Sequence, residues 1–175
     1  MDREIAAILP IRKTDNNVLL AKRDIFKTRL PVPRYRMLAG KFIPLATNVT
    51  EGASLEETAQ KALRDNTTYR GRIDVNTEPI AKASPGRGIS GVTYFGAHIE
   101  DQPIDLRARM GYSQLEWMPA QAWVERLQSK DFMRAVQTEL SLYATAYGTG
   151  TTPTINTPPA VLSALEHLAE TRPNA

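Results

Sequence analysis

The sequence predicts an α+β fold, a mixed β-sheet sandwich with flanking helices, and three observations carry that expectation. Short apolar runs of strand length fill the first quarter and the middle of the chain. A single well-marked amphipathic helix separates them, and helical periodicity returns only after residue 119. Strands, a helix, more strands and then helices do not alternate as a doubly wound parallel sheet requires.

In chain order, EIAAILPI (4–11), the Asn-rich turn TDNN and VLLAKRD (18–24) read as strand, turn and strand. Residues 25–37 contain Pro31 and Pro33 with little periodicity, the mark of a loop or an irregular extension. MLAGKFIPLA (37–46) reads as a further strand interrupted at Gly40, and TNVTEGA leads into the first helix. There Ser54 is placed to cap the free amides and Glu57 to complete a capping box. Leu55, Ala59, Ala62 and Leu63 fall on one face, which predicts packing against a sheet, and the helix fades near 66–68.

RIDVNTEPIAKAS (72–84) and GVTYFGAHIE (91–100) are strand candidates joined by the Gly-rich SPGRGISG, and SQLEWMP (113–119) is a last strand. Helices are expected over 119–127, with Pro119 in the first turn, and over 130–146. Residues 1–147 then form one domain, 148–158 a linker, and 159–175 a C-terminal helix and tail. Val161, Leu162, Leu165, Leu168 and Ala169 share a face of that last helix. Such a stripe either folds back on the domain or serves a second copy or a protein partner.

With 42% apolar and 23% charged residues, the 175-residue chain has the composition of a globular protein with a real core. The absence of cysteine rules out disulfides and thiolate chemistry, and two histidines, His98 and His167, are too few for a multi-histidine metal site. No segment reaches the roughly 18 apolar residues of a membrane span, and the start is unlike a secretory signal, so no membrane partner and a cytoplasmic location are expected. The net charge of +3 is mild, but Lys22, Arg23, Lys27, Arg29, Arg34, Arg36 and Lys41 lie close together against one acid, Asp24. A block of this kind attracts phosphate groups of a nucleotide or an RNA. His98 and the two tryptophans, Trp117 and Trp123, are expected in structural roles.

Several segments together resemble the Nudix hydrolase superfamily over about residues 4 to 130: AAILPI with VLLAKRD as the first hairpin, GKFIP as a glycine-led entry to the family box, GASLEETAQKALRDNTT as the box helix, and LEWMPAQAW as a late Glu-Trp strand running into a helix. The resemblance implies the Nudix-like sandwich and a divalent-metal pyrophosphohydrolase site on the box helix. The box itself is degenerate. Its arginine falls at Lys61, its glutamates at Ala53, Ala62, Asp65 and Asn66, and the connection from Gly40 to Ala53 is seven residues longer than the family pattern.

That loss bears directly on chemistry. Mg²⁺ requires hard oxygen ligands in near-octahedral array, and i, i+3, i+4 spacing is what brings carboxylates onto one helix face. Ala62 supplies no oxygen and Asn66 no charge. Metal activation is worth several kcal/mol, and each ~1.4 kcal/mol is tenfold in rate. The leading expectation is therefore a Nudix-fold protein with a disabled box that binds a nucleotide, a phosphorylated metabolite or RNA. The resemblance places Lys22, Arg23 and Lys41 near the ligand cleft, and Arg87 in the Gly-rich loop is a further phosphate candidate. A second expectation is a diverged Mg- or Mn-dependent nucleoside-diphosphate-X hydrolase with relocated acids, drawn from Asp65, Glu51, Glu56 and Glu116, with Asp65 the candidate metal ligand. A third is an interaction component of a larger assembly that docks through the C-terminal helix.

Overall fold

The computed structural model describes residues 4–23, 41–84, 91–107, 111–147 and 156–171. The expected loop at 25–37, the Gly40 interruption, most of SPGRGISG and residues 148–155 lie outside them.

The first hairpin forms as expected, with strand β1 (Ile5–Arg12) turning at residues 13–17 into β2 (Val18–Arg23). Asn16 takes φ 58, the left-handed conformation that asparagine tolerates well. The two strands meet only at Ile11↔Val18 and then diverge. Beyond that point β1 pairs antiparallel with β4 (Leu45–Asn48), while β2 pairs with β3 (Phe42–Ile43) and, on its other edge, with β8 (Tyr112–Met118). Pro44, which has no amide hydrogen to give a ladder, stands at the corner between β3 and β4. The sheet therefore forks, with β1 and β4 on one arm and β2, β3 and β8 on the other. On the far edge of β1, β7 (Val92–Ile99) runs parallel to it over eight residues.

The strand expected over 72–84 is divided. Its parts, β5 (Ile73–Val75) and β6 (Ala81–Ala83), both pair antiparallel with β7. Five residues, 76–80, lie opposite two, Phe95 and Gly96, so the edge bulges outward. Pro79 accounts for part of this, and the amides of Asn76 and Ile80 rejoin the ladder at Gly96 O and Tyr94 O, each at 2.9 Å. Gly96 leaves room for the bulge, since a Cβ there would stand 3.2 Å from Asn76 Nδ2.

The two faces of the sheet carry two cores. Helix α1 (Leu55–Asn66) covers one face, where Ala59, Ala62 and Leu63 pack on Ala6, Ile8, Phe95 and Ala97. Its start is the expected capping box: Glu57 N donates to Ser54 Oγ at 3.1 Å, and Ser54 N donates to the Glu57 carboxylate at 3.2 Å. On the other face lie α2 (Ala120–Leu127), α3 (Lys130–Tyr147) and α4 (Pro159–Thr171). Trp123 is fully buried there and donates its indole N–H to Val18 O at 2.9 Å, while Trp117 is half-buried under the Arg12 guanidinium. Val161, Ala164, Leu165 and Leu168 of α4 join the cluster built on Leu9 and Ile11. The apolar stripe that the sequence offered for docking is thus covered by this chain's own sheet and α2. At about 1.5–3 kcal/mol for each buried leucine, that contact holds α4 firmly. Among the described residues no helix is long and apolar enough to cross a membrane.

Candidate functional site

A cavity of about 290 Å³ opens in the fork of the sheet. Its floor is apolar, formed by Ile5 and Ala7 of β1 with Val92 and Tyr94 of β7. One side is the β3–β4 corner, and another is the last turn of α1, which presents Asp65 and Asn66. Arg23 and Tyr112 close the β2–β8 end, and Pro158 and Val161 bring the start of α4 against it. The volume is at the lower end of the roughly 300–1,000 Å³ common for small-molecule sites.

Local structure explains how the polar groups reach this place. Between Lys22 and Arg23 the register against β8 slips, because Lys22 faces Gln114 while Arg23 faces Tyr112, leaving Ser113 unmatched. A bulge of this kind re-aims a side chain. The Arg23 guanidinium lies over the Tyr112 ring, 4.9 Å from its centroid, and along the backbone of Gly111, where a Cβ would come within 3.6 Å of Arg23 Nη1. Lys22, on the opposite face, is ion-paired with Glu139 of α3. Tyr94 is buried, and burial pushes its hydroxyl up to about 12, so it stays protonated.

Lys41 departs furthest from expectation. Placed by resemblance near a phosphate, it is instead 1% exposed and its Nζ donates to Asn156 O at 2.7 Å. Loss of hydration lowers its pKa to about 8. Its role is to tie β3 to the residues that precede α4, and it does not line the cavity. Arg87 lies outside the described residues, as do Lys27, Arg29, Arg34 and Arg36 of the basic block, on which the RNA expectation rests.

The candidate acids do not assemble. Glu51 is exposed in the turn at Gly52, and Glu56 is exposed in the first turn of α1. Glu116 is held by Arg126 of α2 at 2.5 Å. Asp65 alone lines the cavity, half-exposed, with Lys61 at 4.0 Å. Ala62 is fully buried in the core under α1. Asn66 is buried, with its amide nitrogen donating back to Ala62 O at 2.7 Å, and Thr67 bends away into extended backbone. Among the described residues no three histidine or acidic side chains group closely enough to hold a metal ion. Of the side chains at this end of α1, Asp65 and Asn66 bring oxygen atoms to the cavity lining.

No family model matches the sequence, and no curated protein is similar to it at a significant level. Solved structures are more informative. A MutT protein from Methanosarcina mazei superposes with a TM-score of 0.58 at 12% identity, over 98% of this chain and 95% of that one. The chain has the Nudix fold. The Nudix domain of Shewanella oneidensis NrtR, complexed with ADP ribose, matches with a TM-score of 0.52 at 17% identity, over 85% of this chain and 90% of that one. An Ap4A hydrolase from Caenorhabditis elegans matches with 0.52 at 11% identity, over 82% and 99%. Identities this low speak for the Nudix fold alone.

Of the residues singled out from the sequence, Arg23 and Asp65 line this cavity; Tyr94 and Tyr112, which line it too, were not among them. Both sit in strands where an aromatic reads as core, and the available signal was the hydroxyl, a polar group that burial obliges to find a partner.

Proposed function

We propose that this protein is a Nudix-fold binding module for a nucleotide-derived small molecule, which it takes into the cavity at the fork of the sheet without hydrolysing it. The observation that carries this reading is the end of α1. The positions that would hold metal-binding glutamates are a buried alanine, a half-exposed aspartate and an asparagine bonded to its own helix. The same turn forms a wall of the cavity. ADP ribose bound to the NrtR domain and the Ap4A hydrolase among the similar structures make nucleotide-derived ligands the first class to try.

Isothermal titration calorimetry against ADP ribose, diadenosine tetraphosphate and the common nucleotides, with and without Mn²⁺, tests the binding. A phosphate-release assay on the same compounds tests the absence of hydrolysis. The expected result is saturable binding that does not need metal, with no turnover. Robust metal-dependent turnover, abolished by Asp65→Ala, would refute the proposal and establish the diverged hydrolase.

A further inference from the structure

The lead-in to α4 gathers unfavourable burial at the edge of the cavity. Lys41 is 1% exposed, and among the described residues the acceptor of its ammonium is a neutral carbonyl, Asn156 O, at 2.7 Å. Thr157, the next residue, is 5% exposed, and its hydroxyl has no hydrogen-bond partner among the described residues. A buried hydroxyl left unmatched is unfavourable, and a buried charge more so. Pro158 and Pro159 have no amide hydrogen with which to tie the backbone down. The helix that follows is held differently. Val161, Ala164, Leu165 and Leu168 are buried in the apolar core, so lifting α4 away would expose them to water. Opening confined to residues 156–158 hydrates the ammonium and the hydroxyl together and leaves those side chains in place. Pro158, in that same stretch, lines the cavity.

We infer that residues 156–158 form a strap across the α4 end of the cavity, which opens locally while α4 stays docked and which an occupied cavity holds shut. Opening exchanges the Lys41–Asn156 bond and the contacts of Pro158 for hydration of two buried polar groups. The open form is therefore reached from the native state without unfolding the domain. A ligand that packs on Pro158 touches the closed form alone and shifts the population towards it. That last step rests on the binding reading above; the strap itself does not.

Acetylation of lysines in the full chain with succinimidyl acetate, read residue by residue by mass spectrometry, follows the opening, because Lys41 reacts when it is uncovered. Lys82, exposed on β6, gives the rate of an open lysine. The protection of Lys41 relative to Lys82 should be at least about tenfold smaller than the protection of the β1 amides against hydrogen exchange, which global unfolding exposes. The amides of Leu165 and Leu168 should be protected well beyond Lys41. Thr157→Val removes the unmatched hydroxyl at nearly constant shape and should slow the labelling of Lys41 about fivefold or more, with Lys82 unchanged. Protection of Lys41 equal to that of the β1 amides would overturn the strap, as would labelling that Thr157→Val leaves as it was. Loss of protection at Leu165 and Leu168 in step with Lys41 would assign the opening to α4 as a whole and also overturn it. Any of ADP ribose, diadenosine tetraphosphate and the common nucleotides that calorimetry shows to bind should slow Lys41 labelling further. Binding without that slowing would overturn closure by the ligand and leave the binding reading standing. If none of these compounds binds, the binding reading falls and the labelling of Lys41 still decides the strap.

Discussion

Replacing Lys41 with methionine should stabilise the protein at neutral pH, and the gain should fade as the pH rises. The ammonium is 1% exposed, its Nζ bonded to the carbonyl of Asn156. Burial lowers its pKa from 10.5 to about 8. At about 1.4 kcal/mol per pH unit, that fall is worth about 3 kcal/mol. Because the unfolded chain binds the proton more tightly, the penalty acts in full below about pH 8. It is relieved as the pH climbs from about 8 towards 10.5, so the wild type gains stability across that window. A neutral amine still donates to Asn156, and methionine fills a similar volume with no charge to desolvate. Urea unfolding of both proteins at about pH 7 and about pH 10 isolates the effect, since other titrating groups are common to the pair. Lys41→Met should lead by about 2–3 kcal/mol at the lower pH and by little at the higher. A lead that stays constant with pH, or a variant less stable at pH 7, would refute the placement of this lysine. Loss of ligand binding in a variant that folds normally would return Lys41 to the phosphate role the sequence suggested.

Three further outcomes follow from the packing. Leu165→Ala removes a fully buried side chain shared by α4 and the sheet; it should cost about 2–5 kcal/mol in a denaturant titration, whereas an unchanged midpoint would mean α4 is dispensable to the domain. Gly71→Ala should cost about 1–3 kcal/mol. A Cβ there would meet the Tyr69 hydroxyl at 2.6 Å, and that ring is pinned by bonds to Arg72 O at 2.5 Å and from Glu100 N at 3.0 Å. Wild-type stability would show that Tyr69 can move aside. Ser54→Ala breaks the capping box of α1 and should lower stability by about 1 kcal/mol without altering ligand affinity, and a thermal melt with no shift would deny the cap its role.

How far the sequence speaks depends on how local the determinant is. Ser54 and Glu57 are three residues apart, and the capping box they form is as expected because the helix itself supplies the geometry. The α4 stripe was legible as an apolar face but not as to what covers it, since its partners, Leu9 and Ile11, lie some 150 residues earlier. The same separation hid Lys41, whose Nζ meets a carbonyl 115 residues away and whose pKa falls because burial in the folded chain strips its hydration. The split of 72–84 into β5 and β6 turns on a bulge opposite Gly96, where close approach of the chains decides the pairing. Tyr94 and Tyr112 come together with Arg23 only because the sheet forks and β8 slips by one residue.

The box helix joins the fold to the proposed function. Its inward residues are conventional: Ala59, Ala62 and Leu63 fill the core under the sheet, and Ala62 does so in a position where a metal-binding carboxylate would have to leave that core. A charged side chain at Ala62 would therefore disturb packing unless a cation drew it outward. Asn66 bonds back to Ala62 O and helps end the helix beside Thr67, which fixes where the cavity wall stops. Ala62 and Asn66 thus serve the helix, and Asp65, half-exposed beside Lys61, is the one carboxylate of that turn in the cavity lining. Restoring glutamate at 62 and 66 together is a demanding test of that division. If the helix needs these residues for packing, the double variant should lose stability in the absence of metal and gain no hydrolytic activity with it. Metal-dependent turnover in a stable double variant would show instead that the scaffold had kept everything but the ligands.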